Sequence, residues 1–357
     1  MRYHFFTLSL VPLVTGQNLL SVLSGQAQLT NFTAYISKYP DLLATLNTGN
    51  RTILAPSDAA FSVFSNANRG NNATDSNREW LEATLSYHVL SGLYPEVILD
   101  GSSKFIPTLL TNSKYSNVTG GQRVEAGSVN GSVAFYSAVK AVSRIIEPDI
   151  IFSYGLIHIV DAVLNVPVNI LETIPKAGWQ YFIPLLTYPG FLSTAFASVI
   201  ANLSSLNDTT YLIINSAQAV ADVQRIPYNT YTNASLVSLL EYYCLDSIVA
   251  YSSLLKDGST FQTIQGNNVT ITVENGSTYV NDAKIIDRDF LTSNGVIHVI
   301  GGCVNYSLHK LDYSFHSISC GFKDPPNNMR IGLFTITKPR RDLRSRVRLR
   351  ILPVLLA

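Results

Sequence analysis

Apolar residues fall at helical spacing early in the chain. Leu19, Leu20, Val22 and Leu23 are followed by Phe32, Tyr35 and Ile36, then by Leu42, Leu43 and Leu46 after a Pro40-Asp41 break. Thr52 to Ala55 then reads as a short buried strand stopped by Pro56. Ser57 or Asp58 caps the next helix, which carries Phe61 and Phe64 on its inner face. A polar, Asn-rich loop covers Asn66 to Asn77, and Trp80 to Leu90 returns to helical spacing through Leu81, Leu85 and Val89. From Phe105 to Val163, short alternating segments and Gly turns predict strands.

The second half runs through the same order. Helix-like patches at Tyr181 to Leu186 and Phe191 to Leu203 precede Thr210 to Val220, a strand running into a helix. Leu236 to Tyr251 is the counterpart of the Trp80 to Tyr94 region. In Thr260 to Asp287, Val269, Ile271 and Val273 alternate and Asn275-Gly276 marks a hairpin turn. Each half closes on the same strand, GLIHIV from Gly155 and GVIHVI from Gly295, 140 residues apart. Helices first and strands last, twice over, predict an α+β chain of two tandem domains, residues 17–166 and 167–302, joined near Pro167.

Composition narrows the function. The 357 residues are 46% apolar and 14% charged with net charge +1, which suits packed cores and excludes a disordered or general nucleic-acid-binding chain. Arg2, the apolar run Phe5 to Val14 and the small residues before Gln17 read as a secretory signal peptide over residues 1–16. Secretion gives meaning to eleven Asn-x-Ser/Thr sequons, at Asn31, Asn50, Asn72, Asn117, Asn130, Asn202, Asn207, Asn233, Asn268, Asn275 and Asn305. Three cysteines are too few for a disulfide scaffold. Cys244, in an apolar run, reads as a buried thiol, while Cys303 and Cys320 are able to pair in an oxidising compartment.

The repeated histidines, His158 and His298, sit between aliphatic neighbours on a strand, which predicts half-buried, hydrogen-bonded rings that serve architecture. Metal chemistry needs converging ligands, and the chain carries no H-x-x-x-H, H-E-x-x-H or Cys/His cluster. Neither a G-x-S-x-G elbow nor a phosphate-binding glycine loop is present. No cofactor, metal or catalytic residue is expected.

Three ordered motifs carry a family resemblance. TILAPSDAAF (Thr52 to Phe61), the pair Tyr87-His88 and GLIHIVDAVL (Gly155 to Leu164) are similar to the motifs of the fasciclin domain, and the likeness covers roughly residues 18–302. The resemblance is specifically to two-domain secreted proteins of filamentous fungi. It implies a mainly antiparallel β-wedge packed with several helices, used for adhesion and binding, not for catalysis. It also makes Tyr87, His88 and the loop Ser91 to Asp100 the expected place for a protein partner. The second copy departs from the pattern. Ile214 stands for the proline, Ala219 or Val220 for the phenylalanine, and Tyr242-Tyr243 for the tyrosine-histidine pair.

The expected function is non-enzymatic adhesion outside the cell or on its surface, toward matrix or surface proteins or wall polysaccharides. The alternative is a luminal factor of the secretory pathway or vacuole that organises membrane or wall. Residues 303–357 form a discordant tail, with seven basic residues and one acid between Lys338 and Arg350. It reads either as a binding patch for anions or as a gene-model artefact replacing the domain's normal end. ILPVLLA is short for a lipid-anchor signal, so membrane attachment is expected only with a different C-terminus.

Overall fold

The computed structural model describes residues 16–67, 78–182, 194–217 and 233–304. Asn72, Ala219, Val220, Asn305, Cys320, residues 1–15 of the expected leader, the tail from residue 305 and most of the Tyr181 to Leu186 patch lie outside them.

Three short helices, Leu19–Ser24, Thr30–Ile36 and Pro40–Leu46, open the chain. Asn18 caps the first by accepting the Ser21 N–H, and Pro40 starts the third, where its missing N–H costs nothing. Strand β1, Arg51–Pro56, follows and leads into the helix Asp58–Ala67. The helix Arg78–Tyr87 stops earlier than the apolar spacing predicts, because Val89–Ser91 leaves it as strand β2 and pairs antiparallel with β1. Strands β3 Lys104–Pro107, β4 Arg123–Val129, β5 Ser132–Tyr136, β6 Val142–Phe152 and β7 Gly155–Val160 complete a seven-stranded sheet in the order β2-β1-β7-β6-β5-β4-β3.

The second half builds the same sheet. After the helices Ile170–Ala177 and Thr194–Ser205 comes β8 Thr209–Ile214, then the helix Asn233–Tyr242 and β9 Cys244–Leu245. Strands β10 Thr260–Gln262, β11 Asn268–Glu274, β12 Ser277–Val280, β13 Ala283–Thr292 and β14 Gly295–Ile300 finish the order β10-β11-β12-β13-β14-β8-β9. Read from the other edge, this is the first sheet's order. Asn169 caps the opening helix of this half as Asn18 caps the first.

Each sheet is antiparallel except at one place. The closing strand pairs parallel with the first strand, β7 with β1 and β14 with β8. Layers of side chains packed on both faces of the closing strand bury it, so His158 and His298 are fully buried, not half-buried. The parallel pairing also explains why each motif begins with glycine. A Cβ on Gly155 would lie 2.0 Å from the Arg51 carbonyl oxygen, and one on Gly295 would lie 1.8 Å from that of Thr209.

Two cores flank the first sheet. Ile53, Ala55, Ile157 and Ile159 pack against the opening helices on one face. Leu54 and Val160 pack with Tyr87, Leu90, Val124 and Phe135 on the other.

Candidate interaction surface

His158 is held from both ring nitrogens. Nε2 lies 2.8 Å from the Tyr94 carbonyl oxygen, and Nδ1 accepts the Asp149 N–H at 3.1 Å. These partners fix the neutral ring with its proton on Nε2. Burial holds its pKa below the usual histidine value, against the opposing pull of the Tyr94 carbonyl and Asp149. Asp149 sits where β6 slips register and takes φ of 58°, a left-handed conformation that aspartate tolerates. Its carboxylate accepts the Glu96 N–H at 3.1 Å. Beside it, the Thr52 hydroxyl donates to the Gly92 carbonyl at 3.0 Å and accepts the Tyr94 N–H at 2.8 Å. Thr52, Asp149 and His158 thus pin the loop that follows β2.

The second domain repeats this latch group by group. His298 Nε2 lies 2.8 Å from the Ala250 carbonyl oxygen and Nδ1 accepts the Asp289 N–H at 3.4 Å. Asp289, at φ of 63°, accepts the Ser252 N–H at 2.8 Å. Thr210 takes the place of Thr52, donating to Ile248 and accepting from Ala250. Burial lowers the His298 pKa as well.

Tyr87 and His88 are buried, at 0% and 1% exposure, so they offer a partner no direct contact. The Tyr87 hydroxyl donates to the Arg123 carbonyl at 2.9 Å. His88 Nδ1 donates to the Thr84 carbonyl at 2.7 Å, and Nε2 accepts the Leu164 N–H at 2.9 Å. Burial pushes its pKa down to about 4. The ring therefore ties a helix end to the chain beyond β7.

In the second domain Tyr243 stands in this position and keeps the bond, its hydroxyl accepting the Val304 N–H at 3.1 Å. Losing the histidine does not lose the tie. Tyr243→Phe would strand a buried N–H, an expected cost of about 1–3 kcal/mol, read as a lower denaturation midpoint with unchanged m.

What the pinned loop does offer is its tip. Val97 is 83% exposed and Ile98 46%, on the short turn Glu96–Ile98. The Lys104 ammonium donates to the Ile98 carbonyl at 2.8 Å and pairs with Asp100.

The sequons fall mainly on the surface. Asn31, Asn50, Asn130, Asn202, Asn207, Asn268 and Asn275 are exposed, and Asn117 is half-buried. Asn233 opens a helix, and its side chain is not among those described. Asn130-Gly131 and Asn275-Gly276 are the β4–β5 and β11–β12 hairpin turns, both asparagines at positive φ. Among the described residues no group of three or more His, Cys, Asp or Glu gathers as a metal set. No described helix is long and apolar enough to cross a membrane. Cys244 is buried, which pushes its thiol up to about 12.

A third feature escapes a reading of motifs. The β3–β4 loop of the first domain grips the second. Asn117 donates its N–H to the Ser293 carbonyl at 2.7 Å, and its own carbonyl accepts the Asp208 N–H at 3.2 Å. Thr119 donates from both its N–H and its hydroxyl to the Asp208 carboxylate. Buried Gln122 donates to the Thr292 carbonyl at 2.9 Å, and Phe105 stacks on Tyr251 at 4.1 Å between centroids. The one sequence signal was length. Thr108 and Gln122 are bonded across this long loop, while their counterparts Thr263 and Asn267 bond across a tight turn.

The fasciclin-domain family model matches residues 27–167 and 198–303, two segments that contain the two sheets and their latches. The chain belongs to the fasciclin family. Its tandem fasciclin domains resemble a fasciclin-like arabinogalactan protein of Arthroderma benhamiae, 27% identical over 79% of this chain and 65% of that protein. The chain therefore spans about two thirds of that relative's length. It is 26% identical to the fasciclin-like arabinogalactan protein elcF of Phaeosphaeria nodorum, over 83% of this chain and 90% of that one. Human periostin is 25% identical over 68% of this chain and 28% of its own length. A solved FAS1 domain pair from the insect cell adhesion molecule fasciclin I aligns over 77% of this chain and 96% of its own, with 17% identity and a TM-score of 0.36.

Proposed function

We propose that this fasciclin protein is a non-catalytic adhesion module of the cell surface, wall or extracellular matrix, its two domains joined near Pro167 and acting as one unit. The observation that carries the reading is how the family's histidines are used. His88, His158 and His298 have both ring nitrogens engaged inside the fold, so none is free to move a substrate proton or take a metal. What His158 holds in place is a loop with an exposed apolar tip, Val97-Ile98, the kind of small anchor that binding surfaces use. The leader-like pattern of residues 1–16 and the exposed sequons support a route through the secretory pathway. The fasciclin-like arabinogalactan names of the fungal relatives support a wall or surface setting. Matrix or surface proteins are the favoured partners, with wall polysaccharides as the second class.

The test is adhesion of the purified glycoprotein to intact walls and to a surface-protein extract, with Val97→Asp/Ile98→Asp as the variant. Loss of about tenfold in apparent affinity is expected, the size of a single anchor. Unchanged binding would remove the loop from the account, and histidine-dependent turnover of an ester or glycoside panel would remove the non-catalytic reading.

A further inference from the structure

The face of the second domain that the first domain grips has a counterpart on the first domain, and that counterpart is open. Equivalences follow from the shared sheet register and the repeated latch. Leu291 corresponds to Ile151, Val296 to Leu156, Val249 to Leu93 and Asp208 to Asn50. At the junction Leu291 is 1% exposed and packs with Tyr251, Val296 and Phe105. On the first domain Ile151 is 74% exposed, Leu93 43% and neighbouring Tyr154 45%. Ile151 pairs with Leu156, which pairs with Thr52, so these groups lie on the sheet face that the latched loop crosses.

A second domain is poorly fitted to cover it. The gripping elements are Phe105 and the long loop carrying Asn117 and Thr119. The second domain has Thr260 where Phe105 stands, a tight turn from Thr263 to Asn267, and the exposed sequon Asn268 in the place of Arg123. The open face differs from the docked one at the position that receives the gripping loop. Where Asp208 receives Thr119, the first domain has Asn50 of the sequon Asn50-Arg51-Thr52. Asn50 is exposed, and the next residue's N–H donates to the Tyr154 carbonyl at 3.1 Å, so a sugar attached there starts beside the apolar residues.

We propose that an N-linked oligosaccharide on Asn50 covers this face and closes the free end of the two-domain unit. The glycan supplies bulk and hydroxyls to solvent while its C–H faces pack on Tyr154 and Ile151. The proposal rests on the secretory-pathway reading, and it uses Thr52 twice. The same hydroxyl that completes the sequon pins the loop at Gly92 and Tyr94.

The experiment measures glycopeptide occupancy at Asn50, Asn130 and Asn275 in the secreted full-length protein. It then compares dye binding to apolar surface (anilinonaphthalene sulfonate) and sedimentation for the parent, Asn50→Gln, Asn130→Gln and Asn50→Gln/Ile151→Thr. Occupied Asn50 is expected, with about a twofold rise in dye fluorescence and concentration-dependent association in Asn50→Gln. Asn130→Gln should match the parent, and Ile151→Thr should reverse the rise. Trimming the folded parent with an endoglycosidase should raise dye binding too, a readout independent of folding. Asn50 bare while Asn130 and Asn275 carry sugar overturns this proposal alone, as does unchanged dye binding after loss of the Asn50 glycan. All three sites bare overturns the secretory reading with it.

Discussion

Gly295→Ala is expected to destabilise the second domain by about 3 kcal/mol, at the upper end of what overpacking costs. The added Cβ would meet the Thr209 carbonyl oxygen at 1.8 Å and its carbonyl carbon at 2.8 Å. These are backbone atoms in the parallel pairing of β8 with β14, so no side chain can turn aside to make room. The strands must separate at the register that places His298 under the Ala250 carbonyl. For a domain of this size about 3 kcal/mol moves the midpoint by roughly 10 °C. Calorimetry should show a transition lowered by that amount, with Gly155→Ala doing the same to the first domain, where the clash is with Arg51 at 2.0 Å. A melting curve like the parent's would mean that the closing strand is not locked as described.

The second large effect is acid sensitivity. His88 is pushed down to about 4 by burial, and burial lowers His158 and His298 as well. A histidine whose folded pKa is depressed binds fewer protons folded than unfolded between those two values. Its stabilisation is therefore complete above the unfolded value of about 6.5 and declines as pH falls toward the folded one. For His88 the gap corresponds to about 3 kcal/mol once pH reaches 4, and the two latch histidines add in the same direction. Protonating Nδ1 of His158 also breaks the bond from the Asp149 N–H, which frees the loop that carries Val97. Urea midpoints should be flat from pH 8 to about 7 and fall steadily below 6.5, a window above the carboxylate range. Equal midpoints at pH 7 and 5 would contradict the burial of these rings.

Much of this architecture is legible in the residues, and the limits have physical causes. The two closing strands, the Asn275-Gly276 turn and the helix-strand order follow local rules of periodicity and turn chemistry. The parallel pairing of β1 with β7 does not, because it joins residues about a hundred positions apart and leaves no alternating pattern. Strand alternation therefore underestimated the burial of His158. The end of the helix at Tyr87 is blurred because Val89 continues the helical apolar spacing of Leu81 and Leu85. Tyr243 in the place of His88 reads in the sequence as a departure from the family's pattern. Only geometry shows that a phenol reaches the same kind of backbone N–H. The domain junction was invisible because Phe105, Gln122 and Asp208 carry no motif, and a difference in loop length was the only trace.

On the proposed function, a scaffold whose histidines are engaged inside the fold presents sugars and a loop tip outside the cell. Glycopeptide mass spectrometry of the protein from its native source tests that claim most directly. Oligosaccharide is expected at the exposed sequons, with the two hairpin tips, Asn130 and Asn275, modified alike. Unmodified peptides at every exposed sequon would contradict it, since a chain that never meets the glycosylation machinery cannot be the surface glycoprotein proposed.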